Sequence, residues 1–194
     1  MPHLLPAELA WYVTGRFYRR ADGALADYGY FLHLANVAAP LFAGAAGERT
    51  AHFTFAAVPF HAGSVVNGAL TLATDPVGEF SVYLQREPAG TFDDPASFAR
   101  GECIATFRRT SMVVGTNVTG ARNETLFGDN VFSARLVRSA PFELGGVLHD
   151  LALILGAGVT QFGTAAGRPI VPPAAGYAAV VPFSGSAIAL GPAR

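Results

Sequence analysis

The chain has no lysine: all thirteen of its cations are arginines. That excludes Schiff-base chemistry on a lysine amine and a phosphate loop built around a lysine. A single cysteine, Cys103, cannot form an internal disulfide, so a disulfide scaffold is excluded and a reducing compartment is expected. Charged residues make up only 14% of the chain and the net charge is −1, with no run of like charge. A nucleic-acid-binding surface needs a basic patch or stripe, and none is present. The N-terminus has neither a basic n-region nor an apolar h-region, so no secretory signal is read there and a cytoplasmic localisation is expected. The most apolar window, 144–159, is interrupted by His149, Asp150 and several glycines, and is too short to be a transmembrane helix. The two Asn-x-Thr sequons, at Asn117 and Asn123, therefore carry no meaning.

What the chain does have is apolar: 51% of its residues are hydrophobic. With so few charges, the strands are expected to be apolar on both faces. One face would then line a ligand cavity, and the other would meet a helix, a loop or a further copy in a homo-oligomer. The period-two pattern is clearest at the start. Trp11, Val13, Gly15 and Phe17 alternate with Tyr12, Thr14, Arg16 and Tyr18, which is strand periodicity. Turn chemistry at 19–23 follows, and Tyr28–Val37 returns. On the returning strand Tyr28, Tyr30, Leu32 and Leu34 share one face, and Phe31 and His33 the other.

Further strands are read at 50–60, 65–73, 79–86, 101–114, 131–138 and 177–190. The segment 87–98 is expected to be an irregular loop, 115–130 a polar one, and 145–164 a strand rather than a helix because of its glycines and β-branched residues. Roughly eight to ten strands at this spacing, with no βαβ alternation and no repeat, predict an all-β fold: a single antiparallel β-barrel occupying residues 1–194, with 1–7 as a lead-in.

Most catalytic motifs are missing. There is no G-x-S-x-G elbow. The run from Gly156 to Gly163 has Gln161 at the third fingerprint position, where a dinucleotide loop needs glycine, and it reads as a closely packed strand. The histidines His3, His33, His52, His61 and His149 form no metal-ligand spacing, so neither a metal nor any other cofactor is expected. What remains is an apolar cavity with a few polar groups. Tyr28, Tyr30, His33, His52 and Glu102 are the candidate catalytic groups, since a desolvated hydroxyl, imidazole or carboxyl can donate a hydrogen bond or proton. Trp11, Leu32, Phe53, Phe55, Tyr83 and Phe107 are the candidate substrate-binding wall. For each the structural reading weighs more: tyrosines with rim hydroxyls, structural or exposed histidines, a Glu102 solvated or paired with Arg108, and plain core for the aromatic wall. Tyr28 and Tyr30 lie opposite His33, so all three share a lumen only if a bulge intervenes. The tyrosine face, with Leu32 and Leu34, is taken as the inner one.

The stretch Glu8-Leu9-Ala10-Trp11-Tyr12-Val13-Thr14-Gly15, the Asp22-Gly23 turn and Tyr28-Gly29-Tyr30 resemble the opening strand pair of lipocalin-like (calycin) barrels of the carotenoid hydratase and AttH type. His52-Phe53 stands where those proteins have their next aromatic strand, and nothing after Phe60 aligns. They are longer, with two barrel domains, so this chain would be a single-domain relative. The general shape is also similar to the allene oxide cyclase barrel. The resemblance implies a calyx that folds a long apolar substrate and acts on it by shape and one or two hydrogen-bonding groups, without a cofactor. The expected function is therefore a cofactor-independent isomerase or cyclase acting on an apolar polyketide- or terpenoid-like intermediate. A non-catalytic carrier of a hydrophobic small molecule and a structural assembly protein are the alternatives.

Overall fold

The alternation from Trp11 forms a long strand, and twelve more follow it among the described residues. The computed structural model describes residues 4–57, 61, 63–68, 70–75, 78–110, 113–121 and 125–191. His3, Asn123 and the ends of some expected strands and turns (58–60, 76–77) lie outside them. The strands are β1 (Leu9–Arg19), β2 (Leu25–Leu34), β3 (Phe53–Ala57), β4 (Gly63–Asn67), β5 (Leu70–Asp75), β6 (Glu79–Leu84), β7 (Glu102–Arg109), β8 (Val113–Thr119), β9 (Thr125–Ser139), β10 (Phe142–Leu144), β11 (Val147–His149), β12 (Gly158–Ala166) and β13 (Ala179–Ala189). A 3-10 turn, Pro95–Ala99, and a short helix, α1 (Leu151–Leu155), complete the set.

Eight strands close into an antiparallel barrel in the order β12-β13-β1-β2-β3-β6-β7-β9, with β9 pairing back to β12. The all-β barrel expected from the pattern is thus present. Three further strands, β8, β5 and β4, continue the sheet beyond β9. Their registers explain why. The fifteen-residue β9 pairs with β7 through its second half and with β8 through its first. In the same way β6 pairs with β7 while β5 pairs with β8. The ladder β3-β6-β7-β9 therefore passes into a second ladder, β4-β5-β8-β9, and forms a blade that extends one wall past the barrel.

This corrects two expectations. The segment 115–130 is not a loop but holds most of β8 and the start of β9; polar composition alone does not separate a loop from a strand of a sheet with one solvated face. The single strand expected at 65–73 is two, β4 and β5, which pair with one another, and β5 does not pair with β6. The real hairpin is β4–β5, turning at Gly68, whose φ of 59° suits glycine.

One end of the barrel is stoppered. The expected strand at 145–164 divides into β11, α1 and β12, because Asp150 caps the helix and Gly156 ends it. Asp150 accepts from the Ala152 amide at 2.9 Å and from the Ser139 hydroxyl at 2.6 Å. Leu151, Ile154 and Leu155 then fall on one helix face and are fully buried. Leu4 joins them, its amide donating to the Ile154 carbonyl at 2.9 Å, and Phe142 packs beneath.

Against Phe142 lies His149, with ring centroids 5.4 Å apart, and only 1% of it is exposed. Burial lowers its pKa below the ordinary 6.5, and neither ring nitrogen has a hydrogen-bond partner among the described residues. The neutral ring is favoured in the fold, so below pH 6.5 the unfolded chain binds the extra proton. Stability should fall as pH drops below that value and level off beneath the lowered one. Urea unfolding at about pH 8 and about pH 5 should reveal a smaller acid loss in His149→Leu than in the wild type; equal losses would remove His149 as a cause.

Candidate functional site

The inner wall follows from strand parity. Trp11, Val13, Gly15 and Phe17 face inward from β1, Asp27, Gly29 and Phe31 from β2, and Phe53, Phe55 and Ala57 from β3. Gly15 and Gly29 pair directly across β1 and β2. A Cβ on Gly15 would stand 2.9 Å from the Phe55 ring and 3.0 Å from the Phe183 ring, and one on Gly29 would meet the Thr14 carbonyl. The missing side chains make room for those two rings. Trp11 is the hub of the stack: Phe31, Phe80 and Phe107 meet it edge to face at 5.7, 6.4 and 5.4 Å, and Phe80 stacks on Phe107 at 5.0 Å. Such pairs add about 0.5–1.5 kcal/mol each beyond area burial.

This wall is not wholly apolar. Arg109, the last residue of β7, is 4% exposed, and Asp27 is 7% exposed. Arg109 Nη2 lies 3.4 Å from Asp27 Oδ2, and its guanidinium sits 5.0 Å from the centre of the Phe132 ring. The Arg109 amide donates to the Gly78 carbonyl at 2.9 Å, which fixes the strand end. Asp27 lies one residue beyond the last pairing of β2 with β3, Tyr28 with Ala56. The ion pair therefore sits where the closed barrel gives way to the blade. Deeper in, Trp11 Nε1 donates to Gln161 Oε1 at 2.7 Å. Gly163 and Gly185, paired across β12 and β13, leave space that the Asn130 and Gln161 amides occupy.

These groups surround a cavity of about 50 Å³ bordered by Trp11, Phe17, Asp27, Arg109, Phe132 and Phe183, among others. A water needs roughly 10–15 Å³ measured this way, so the cavity has room for a few waters. Two side-chain contacts lie in its wall: Arg109 over Phe132 at 5.0 Å and Phe17 against Phe183, with centroids 4.6 Å apart. Chemically the arrangement offers one fixed cation, one carboxylate and two amides inside an aromatic shell, where electrostatic effects are amplified by the low local dielectric.

The sequence-derived candidates divide. Trp11 and Phe55 line the cavity, and Phe53 and Phe107 are buried in the core around it. Leu32, Tyr83, Tyr28, Tyr30, His33, His52 and Glu102 do not border it. The inner face of β2 is the Phe31 face, not the tyrosine face. Tyr12 pairs with His33 and Val13 with Phe31, so Leu32 is an extra residue in a bulge. Beyond the bulge the parity flips, which turns Leu34 inward with Phe31 and leaves Leu32 and His33 exposed.

Tyr28 and Tyr30 belong instead to an outer cluster beneath the loops around 92 and 177. Tyr28 meets Tyr18 at 5.6 Å, and Tyr30 meets Phe92 at 6.2 Å. Burial is the main reason that the Tyr28, Tyr30 and Tyr83 hydroxyls are pushed above the ordinary phenol value of 10.0, which makes them weaker acids. Tyr18 is pushed higher still by burial, and its hydroxyl donates to the Phe92 carbonyl at 3.2 Å. His52 Nδ1 is 2.9 Å from the Gln85 carbonyl at the start of β3. Glu102 is exposed and pairs with Arg86 at 3.0 Å, while Arg108 pairs with Glu79.

Asp27, Arg109, Asn130 and Gln161 were the residues the pattern did not single out. The available signal was a carboxylate two residues before Gly29 and four before Phe31 on an apolar face, and a cation two residues after Phe107. A charge on the core parity of a strand is the informative exception.

Among the described residues no three His, Cys, Asp or Glu side chains converge as a metal site, and no helix is long and apolar enough to cross a membrane. The closed eight-stranded barrel is compatible in shape with calycin-like proteins. Compared with protein-family models, with curated proteins and with solved structures, the chain matches none.

Proposed function

We propose that the protein is a cofactor-independent isomerase or cyclase acting on a compact, largely apolar molecule that carries a carbonyl group. The observation that supports this most is the Asp27–Arg109 pair inside a lumen walled largely by aromatic rings. In this reading the molecule displaces the few waters of the cavity and presses its apolar body against Phe55, Phe80 and Phe183. Arg109 donates to the carbonyl oxygen and stabilises negative charge as it develops there. For an isomerisation, Asp27 takes the proton from the carbon next to the carbonyl, and the electron pair passes to the oxygen as an enolate. The same proton then returns at a different carbon, so no oxidant or cofactor is consumed. For a cyclisation, the Arg109 hydrogen bond polarises the acceptor, and the wall holds the two reacting ends together.

A non-catalytic carrier is the second reading, favoured by the small size of the cavity and by the closeness of the two charges, which can serve structure alone. The test uses a panel of β,γ-unsaturated ketones of increasing size. Binding is read by quenching of the single tryptophan, Trp11, and conversion by the absorbance of the conjugated product. The expected result is quenching and conversion by the wild type, with conversion falling by about a hundredfold or more in Asp27→Asn while quenching persists. Quenching without conversion by the wild type would establish the carrier instead, and neither response would overturn a ligand site in the lumen.

A further inference from the structure

The inner face of β9 carries Ala134, Phe132 and then Asn130, a polar residue on a core parity. Asn130 is half-buried and borders the lumen cavity. It stands opposite Gly163 on β12, and Gly163 stands opposite Gly185 on β13, so no side chain shares its row on those two strands. The amide lies across Gly163: a Cβ there would come 2.8 Å from Asn130 Oδ1 and 3.1 Å from Nδ2. Among the described residues this amide has no hydrogen-bond partner. The nearby Gln161 amide is different. Its oxygen accepts from the Trp11 indole at 2.7 Å, and its nitrogen lies 3.4 Å from the Phe162 carbonyl. Gln161 is thus tied into the wall, while Asn130 keeps both a donor and an acceptor for whatever fills the cavity. A few placed polar groups of this kind in an otherwise apolar pocket are what fix a ligand's orientation.

We infer that Asn130 is a specificity-determining residue of the lumen, and that the molecule bound there carries a hydroxyl group as well as its carbonyl, the two set several bonds apart. The inference rests on the reading of the lumen as a carbonyl site and names a further feature of its ligand. Arg109 and Asn130 give the separation. The guanidinium lies over the Phe132 ring, and Asn130 is the next inward residue of β9, about 7 Å along the strand. A carbonyl held by Arg109 therefore leaves the far end of a compact molecule beside the amide. A hydroxyl suits that place because it donates and accepts at once, and so engages Oδ1 and Nδ2 whichever way the amide is turned. Gly163 and Gly185 have a role in this arrangement: they leave the room in which the amide and the hydroxyl meet.

The test is titration calorimetry of the full chain with two ketones of similar size, 4-hydroxycyclohexanone and 4-methylcyclohexanone, whose substituents lie across the ring from the carbonyl. The proteins are the wild type, Asn130→Ala and Gly163→Ala. The last deletes nothing but crowds the amide with a methyl group, the three nearest atoms to that methyl all belonging to Asn130. The wild type should bind the hydroxy ketone at least as tightly as the methyl one, although a hydroxyl is the costlier group to take out of water. In both variants the ratio of the two affinities should fall about tenfold, the loss of one hydrogen bond, while the methyl ketone still binds and so reports a folded lumen. A wild type that favours the methyl ketone, or a ratio unmoved by both substitutions, would overturn the inference and leave the carbonyl site standing. Binding of neither ketone by the wild type would remove that site and the inference with it. Loss of both ketones in both variants would make Asn130 a structural residue and overturn its role in specificity.

Discussion

Replacing Asp27 with alanine is expected to destabilise the protein by about 3–5 kcal/mol, the cost of leaving a buried cation without its counter-charge. Arg109 has little means of escape. It is 4% exposed, and Phe132 lies under its guanidinium at 5.0 Å. The complementary experiment replaces both partners, Asp27→Leu with Arg109→Met. Exchanging a buried ion pair for apolar side chains of similar volume is often neutral or stabilising, so the double variant should recover most of the loss. Guanidinium unfolding of the two single variants and the double one yields the coupling directly. A cost below about 1 kcal/mol for Asp27→Ala would mean that Arg109 finds water when its partner is gone. The two experiments on this pair separate stability from chemistry: the apolar double variant should be as robust as the wild type and inert toward the ketone panel.

Trp11→Ala should be nearly as damaging, at about 3–5 kcal/mol, because it removes the largest ring of the core and leaves a hole. Trp11 is 2% exposed and touches Phe31, Phe80 and Phe107 edge on. It also strands the Gln161 carbonyl oxygen that accepts its indole N–H at 2.7 Å. Trp11→Phe separates the two effects. It keeps most of the packing and loses the hydrogen bond, so it should cost about 1–3 kcal/mol for the orphaned amide together with the smaller ring. Thermal and denaturant unfolding measure both. The hole in Trp11→Ala would adjoin the existing cavity, so the surviving folded fraction should bind larger apolar probes than the wild type admits. If Trp11→Ala and Trp11→Phe cost the same, packing is not what Trp11 contributes.

How much of this was readable beforehand depended on whether a feature was local. The parity of β1 was, since Trp11, Val13, Gly15 and Phe17 alternate without interruption and all face inward. The parity of β2 was readable only as far as Phe31. One extra residue, Leu32, reverses the remaining face, and a bulge has no composition of its own. The tyrosines misled for a different reason. An amphipathic ring on a strand suits a lumen rim as well as a covered outer face, and what decides is a pair of loops arriving from the 90s and the 170s. The helix α1 had its markers in Asp150 and Gly156, but an apolar run of its length is ambiguous by periodicity alone. The ion pair was the hardest case. Asp27 and Arg109 are 82 residues apart, and Arg108, beside Arg109, faces outward to Glu79. Two consecutive arginines on a strand must diverge, and only the register says which one is buried.

The closure of the barrel between β1 and β13 has a kinetic consequence. Leu9 pairs with Ile188 and Arg19 with Ala179, so the first strand, already paired with β2, finds its second partner only some 160 residues or more further along. Contacts of such long sequence separation must overcome most of the loop-closure entropy before they are rewarded, which places this protein among slow folders. During synthesis β1 and β2 leave the ribosome well before β13, as an aromatic hairpin with one side open. That side must wait unpaired until β13 has been made. The arginines at 16, 19 and 20 stand at that hairpin's turn end, where their charge can keep it from associating with others while it waits.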